Sequence, residues 1–85
     1  MKLDQAFIER VRDPMRRSWN VIGSEAYGEM ERVSNYDAVE AAVDADHLRI
    51  HGGDAEAHDL VNQAAKEHGW DTVLPFLVKN VILEG

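Results

Sequence analysis

The most constraining feature of the sequence is an apolar stripe at helical spacing in its first quarter. Its members are separated by four, four, four, four and three residues, so they share one face of an α-helix. Proline lacks the amide hydrogen of the helical ladder, so Pro14 predicts a kink or a break, with Asp13 as the N-cap of a new helix. We therefore expect helices at about 3–12 and 14–22 that pack as one bent unit. The stripe consists of Leu3, Phe7, Val11, Met15, Trp19 and Ile22.

A second helical pattern begins near Ser34. Ser34 and Asp37 resemble a capping box, in which two side chains satisfy free backbone groups at the start of a helix. Apolar and polar residues also alternate over 47–51, which is strand spacing, but the sequence offers no second strand pattern to pair with it. We therefore predict a helix that ends at the Gly52-Gly53 pair. The residues at helical spacing are Tyr36, Val39, Val43, His47 and Ile50.

The next predicted helix begins after Asp54. The short carboxylate of Asp54 is a strong N-cap for a helix over 55–68. Gly69 is suited to end that helix, because glycine adopts the left-handed conformation without a steric penalty. The apolar face of this helix is formed by Leu60, Val61 and Ala64, with Ala57 and His68 near its ends.

The last helix is predicted to begin at Asp71 or Thr72, since either side chain can act as an N-cap. A strand over 76–83 is the alternative, because this stretch is a nearly continuous apolar run. We favour the helix, because residues of its buried side recur at helical spacing. These residues are Val73, Phe76, Leu77, Asn80 and Val81.

Residues 25–33 form the weakest helical pattern, because Gly28 disfavours a helix by about 1 kcal/mol relative to Ala. No repeat or flexible linker interrupts the chain. We therefore predict that residues 1–85 form a single all-α domain, a compact bundle of roughly four to six short helices. A minor β element near 47–51 or 76–83 is the alternative to a fully helical fold.

Charge is divided unevenly along the chain. Residues 1–22 carry five basic and three acidic side chains, whereas residues 23–85 carry four basic and thirteen acidic ones. Nucleic-acid binding depends on contacts from Lys and Arg to phosphate, so an acidic body disfavours a nucleic-acid partner. The basic first helix is expected to contact the acidic body of its own chain, a second copy, or an acidic partner.

The sequence contains no Cys, which excludes disulfides and thiolate metal sites. Small secreted domains are commonly cross-linked by disulfides, so this composition favours a reducing, cytoplasmic location. The N-terminal residues lack the apolar segment of a signal peptide. No apolar run approaches the ~20 residues that cross a bilayer, so no membrane partner is expected.

Histidine and carboxylate spacing raises one metal-binding hypothesis. His47 and His51 lie four residues apart, and Asp54 and His58 have the same spacing. Imidazole and carboxylate groups at this spacing can bind a divalent ion. Because a glycine pair separates the two halves, we favour exposed or capping roles for these candidates and predict neither a metal site nor a cofactor.

Catalytic and nucleic-acid-binding motifs would give the chain other functions. The serines lack a Gly-x-Ser-x-Gly turn and the glycine pair lacks the residues of a phosphate-binding loop, so we predict that the protein is not an enzyme. A helix-turn-helix over 60–82 is the alternative function, because Ala65 and Gly69 have the spacing found in DNA-binding regulators. Its second helix carries Lys79 as its one basic residue, which disfavours that role.

We interpret the protein as an acidic, non-enzymatic interaction or regulatory domain that binds a protein partner or self-associates as a dimer. One form of this hypothesis is an inhibitor whose acidic surface competes with nucleic acid for a basic protein. Trp19 continues the apolar stripe and is also expected in the core. Trp, Tyr and Arg are enriched at binding hot spots. The candidate partner-binding residues are therefore Arg12, Arg16, Arg17, Trp19, Tyr27 and Trp70.

Overall fold

The computed structural model describes residues 1–23 and 36–83, and almost all of this backbone is helical. The predicted helix over 25–33, the capping box at Ser34 and the candidate contact residue Tyr27 lie outside the described residues. The helices are α1 (Gln5–Gly23), α2 (Tyr36–Ala42), α3 (Ala45–His47), α4 (Ala55–His68) and α5 (Trp70–Leu77), with π-helical turns at Leu48–Gly52 after α3 and at Val78–Ile82 after α5.

The predicted all-α fold is confirmed, since the described ranges contain helices and no strand. The strand alternatives near 47–51 and 76–83 are wrong. A π-helical turn covers most of each stretch, so backbone groups are paired locally and need no partner strand. Leu48 and Val81 in these turns are buried at 0% and 1% exposure, which fixes both turns against the core.

Helix α1 continues through Pro14 without a break. This corrects the expectation of separate helices at 3–12 and 14–22 with Asp13 as an N-cap. Pro14 itself is buried and Val11, one turn earlier, is completely buried. Burial of the stripe on both sides of the proline therefore outweighs the one hydrogen bond that the proline removes.

The start of α1 is capped by Asp4, which sequence reasoning missed. Its carboxylate accepts a hydrogen bond of 3.1 Å from the amide of Phe7, and its carbonyl accepts one of 3.0 Å from the amide of Ile8. An acidic side chain in this position satisfies one of the free amides of the first turn. Asp4 therefore caps the start of α1, about one turn before Phe7, the first buried residue of the stripe.

The helix expected over 36–51 is interrupted where α2 ends. Asp44 has an extended backbone with φ −60° and ψ 143°, and its carboxylate accepts a hydrogen bond of 3.2 Å from the amide of Asp46. This cap starts α3, which runs into the first π-helical turn. The stop predicted at Gly52-Gly53 is confirmed, since Gly53 has a left-handed φ of 70°.

Helix α4 begins and ends as predicted. The Asp54 carboxylate accepts hydrogen bonds from the amides of Glu56 and Ala57, at 3.0 and 3.3 Å. Gly69 follows the helix with a positive φ of 86°, which glycine adopts more easily than other residues. Its ψ of 147° differs from that of the expected left-handed cap, so the chain turns sharply there.

Helix α5 begins directly after this turn, at Trp70. The prediction that Asp71 or Thr72 caps it is wrong, because both already lie inside its first turn. The carbonyl of Gly69 instead accepts hydrogen bonds of 3.1 Å from the amides of Thr72 and Val73. The glycine is thus the one residue between α4 and α5, and α5 starts without a side-chain cap.

The core lies between α1 and the helices that follow it. Helix α1 contacts α2, α4 and both π-helical turns, so its apolar stripe is covered along its length. Leu3 and Ile22 close the two ends of the stripe and are partly buried. The buried hydrophobic residues are Phe7, Ile8, Val11, Met15, Trp19, Val39, Ala42, Val43, Leu48, Ala57, Val61, Ala64, Ala65, Val73, Leu74, Leu77, Val81 and Ile82.

Candidate functional site

Two of the arginines predicted to bind a partner contact backbone carbonyls of their own chain. Arg16 donates to the carbonyl of Val81 at 3.0 Å. Arg17 donates twice to the carbonyl of Gly52, at 3.1 and 2.6 Å. These carbonyls lie at the ends of the two π-helical turns, where helical carbonyls lack intrahelical donors and attract cations. Arg12, on the same helix, is half-buried.

Arg10 extends this pattern to the acidic part of the chain. Its guanidinium donates to the Asp54 carboxylate at 2.7 Å and to the Glu56 carboxylate at 3.1 Å. The hydrogen bond from Arg10 lowers the pKa of Asp54 below its usual value, with smaller help from the amides of Ala57 and Glu56. The basic first helix therefore contacts the acidic body of its own chain, which was one of the expected arrangements.

Ser18 and His47 form a short, buried polar contact. Ser18 has 0% exposure, and its hydroxyl donates to the carbonyl of Ala42 at 2.6 Å. His47 Nδ1 lies 2.5 Å from the same hydroxyl oxygen and acts as the donor, because the hydroxyl hydrogen is already used. This distance resembles a nucleophile–base pair, but a hydroxyl without solvent access cannot meet a substrate. The contact joins α1 to α3.

The candidate metal ligands are divided among three separate contacts. The rings of His47 and His51 pack with centroids 4.6 Å apart. Asp54 is held by Arg10, and His58 Nδ1 lies 2.8 Å from a carbonyl oxygen. Within residues 1–23 and 36–83, no three His or carboxylate side chains converge on a position for a metal ion.

The two tryptophans have different environments. Trp19 is 3% exposed and belongs to the core, as its place in the apolar stripe predicts. Trp70 is 38% exposed at the start of α5. Of the predicted contact residues that are aromatic and described, Trp70 is the one that reaches solvent.

Trp70 lines an open pocket of about 310 Å³ between α2, α4 and α5. Glu40 comes from α2, His58 from α4, and Val43 and Asp44 from the break between α2 and α3. Glu40 and Asp44 are exposed, whereas Val43 is only 2% exposed. The pocket therefore combines an aromatic ring, a buried apolar residue and two carboxylates.

The hydrogen bond of His58 determines which polar groups the pocket offers. Its Nδ1 must be the donor in the 2.8 Å contact, because the carbonyl of Val43 can only accept. In the neutral ring, Nε2 is then an acceptor. The carboxylates of Glu40 and Asp44 are acceptors as well, so the pocket chemically matches a donor-rich, positively charged group.

The burial and charge of α5 disfavour the helix-turn-helix alternative. Helix α5 would have to enter a DNA groove, but Val73 and Leu77 are 0% exposed and Leu74 is 3% exposed. The exposed residues at the start of α5 are Trp70, Asp71 and Thr72, which bring a negative charge rather than a positive one. This surface is unfavourable for phosphate.

Comparisons with protein-family models, with curated proteins and with solved structures return no match to this chain. In the part of the chain that the structure describes, no helix has both the length and the apolar character to cross a bilayer.

Proposed function

We propose that this protein is a non-enzymatic interaction domain that binds a basic segment of a partner protein at the pocket around Trp70. The observation that carries the proposal is that the exposed Trp70 lines the same open pocket as Glu40 and Asp44, two exposed acidic residues. Exposed tryptophan in a pocket is a common centre of protein-binding energy. Two carboxylates at its side select a partner of opposite charge.

The distribution of charge supports a basic partner. Arg10, Arg16 and Arg17 are engaged within the chain. Every described acidic side chain except Asp54 is exposed. The described surface therefore presents many carboxylates to a basic segment, and such a complex would weaken as salt screens it.

Self-association receives less support than binding of a basic partner. A dimer held by α1 arginines and acidic residues of a second copy needs guanidinium groups that are free to leave their own chain. Arg16 and Arg17 instead hold backbone carbonyls at 2.6–3.0 Å. Breaking such charge-assisted contacts costs about 1.5–3 kcal/mol each, which a dimer contact would have to offset.

Fluorescence anisotropy with a labelled, arginine- and lysine-rich peptide tests the proposal at ~50 mM and ~500 mM NaCl. We expect binding at low salt that weakens at high salt, and about twofold to fivefold weaker binding for Glu40→Gln. Glu9→Gln is the matched control, because Glu9 is exposed on α1 and does not line the pocket. Equal effects of the two substitutions, or binding that is insensitive to salt, would contradict the proposal.

A further inference from the structure

The polar groups around Trp70 are complementary to one kind of side chain. The carboxylates of Glu40 and Asp44 accept hydrogen bonds only, and the Nδ1 contact of His58 with Val43 leaves the neutral ring with an acceptor at Nε2. Among the residues that line the pocket in the described ranges, none is Lys or Arg. A ligand group with several N–H donors would satisfy these acceptors together.

The indole of Trp70 adds a requirement on shape. A cation over the face of tryptophan is attracted by the ring, and a planar cation can also stack on it. The guanidinium of arginine is planar, always charged and carries five donors, whereas the ammonium of lysine is compact and strongly hydrated. An open pocket of about 310 Å³ accommodates one such side chain without requiring complete removal of its water.

We infer that the Trp70 pocket is a subsite for a single arginine side chain of the partner protein, an inference that rests on the proposed function. The guanidinium lies against the indole and donates to the carboxylates of Glu40 and Asp44. Val43, at 2% exposure, provides an apolar surface for the methylene groups of the same side chain.

Two-dimensional NMR of nitrogen-labelled protein tests the inference with three short peptides. The peptides are identical except for a central arginine, lysine or citrulline, the last being a neutral analogue of arginine. We expect the arginine peptide to shift the indole signal of Trp70, assigned with Trp70→Phe, and to bind about threefold or more tightly than the lysine peptide. The citrulline peptide is expected to leave the signal unchanged.

Substitutions distinguish specific binding of arginine at Trp70 from general attraction of basic peptides to the carboxylates. Trp70→Leu is expected to remove most of the preference for arginine over lysine while binding of both peptides persists through the carboxylates. Glu40→Gln is expected to weaken both peptides, and Glu9→Gln neither. Thermal unfolding of Trp70→Leu provides the folding control, and Glu40→Gln tests the pocket independently at an exposed position.

The possible failures are distinguishable. Equal binding of arginine and lysine peptides, with both dependent on Glu40, would overturn the arginine subsite and leave the proposed function standing. A preference for arginine that Trp70→Leu leaves intact would overturn the stacking arrangement. If neither peptide shifts the Trp70 signal and the labelled basic peptide does not bind, both the subsite and the proposed function are wrong.

Discussion

Arg17 donates two hydrogen bonds, at 3.1 and 2.6 Å, to the carbonyl oxygen of Gly52. This contact joins the middle of α1 to the end of the π-helical turn that follows α3. The same carbonyl-to-guanidinium arrangement recurs one residue earlier, where Arg16 meets Val81. Neighbouring side chains on α1 thus hold backbone from two distant parts of the chain.

Replacing Arg17 by Ala is expected to destabilise the protein by about 1.5–3 kcal/mol, because a charge-assisted hydrogen bond to a carbonyl is lost. Urea unfolding at neutral pH measures the change. Arg49→Ala is the control, since its ion pair with Asp46 is 3.4 Å long and both side chains are more than half exposed. Such a pair contributes about 0–1 kcal/mol, so a larger loss for Arg49→Ala than for Arg17→Ala would contradict this assignment.

Gly52→Ala is expected to destabilise the protein, although alanine favours helices over glycine by about 1 kcal/mol. A Cβ atom at Gly52 would lie 2.7 Å from the carbonyl oxygen of Pro14, a backbone atom that cannot rotate away. Overpacking of this kind costs about 1–3 kcal/mol. Thermal unfolding shows whether Gly52→Ala lowers or raises stability. A raised melting temperature would show that α1 can shift away from this contact.

Ser18→Ala is expected to cost about 1–3 kcal/mol, because it removes the hydroxyl from between the Ala42 carbonyl and His47 Nδ1 in a fully buried position. Chemical denaturation of the variant measures the loss. Thr72→Ala provides a control at an exposed hydroxyl in α5, where about 0.5 kcal/mol or less is expected. Equal stabilities of wild type and Ser18→Ala would refute a structural role for the buried contact.

Two substitutions at Asp54 separate its role as the N-cap of α4 from its ion pair with Arg10. Asp54→Ala is expected to lose about 1 kcal/mol from the N-cap, whereas Asp54→Asn keeps the cap and loses only the charge. The pKa of Asp54 is lowered in the folded protein by the hydrogen bond from Arg10. The stability from this charge is therefore present above the unfolded pKa, near 3.8, and is lost as the pH falls through the lower folded value.

Urea unfolding of wild type and Asp54→Asn between neutral and strongly acidic pH tests this sign. We expect wild type to be the more stable at neutral pH, by a modest amount because both side chains are partly exposed to solvent. The two curves should converge in acid. A difference that persists or grows as Asp54 is protonated would contradict the assignment of the pKa shift to Arg10.

Local patterns predicted much of the fold. The stripe of α1 and the cap of α4 at Asp54 depend on neighbours in sequence, and both are confirmed. The continuity of α1 through Pro14 was not predictable in this way, because it depends on burial by later helices. The same applies to the start of α5 at Trp70, which depends on the sharp turn at Gly69.

The candidate site was only partly accessible to sequence reasoning. Trp70 was selected because exposed tryptophan is typical of binding surfaces, and its exposure is consistent with that choice. Glu40 and Asp44 were missed, because nothing local indicates that they meet an aromatic side chain about 30 residues later. The break between α2 and α3 places Asp44 in the pocket lining, whereas the sequence pattern predicted a continuous helix there.

The contact between Arg16 and Val81 has a consequence for synthesis. These residues are 65 positions apart, so the ribosome adds Val81 long after it has made α1. At ~5–20 residues per second, roughly 3–13 s pass between them. During this interval the part of the apolar stripe of α1 that packs against the turn at Val78–Ile82 stays uncovered on the nascent chain, and exposed apolar surface promotes aggregation.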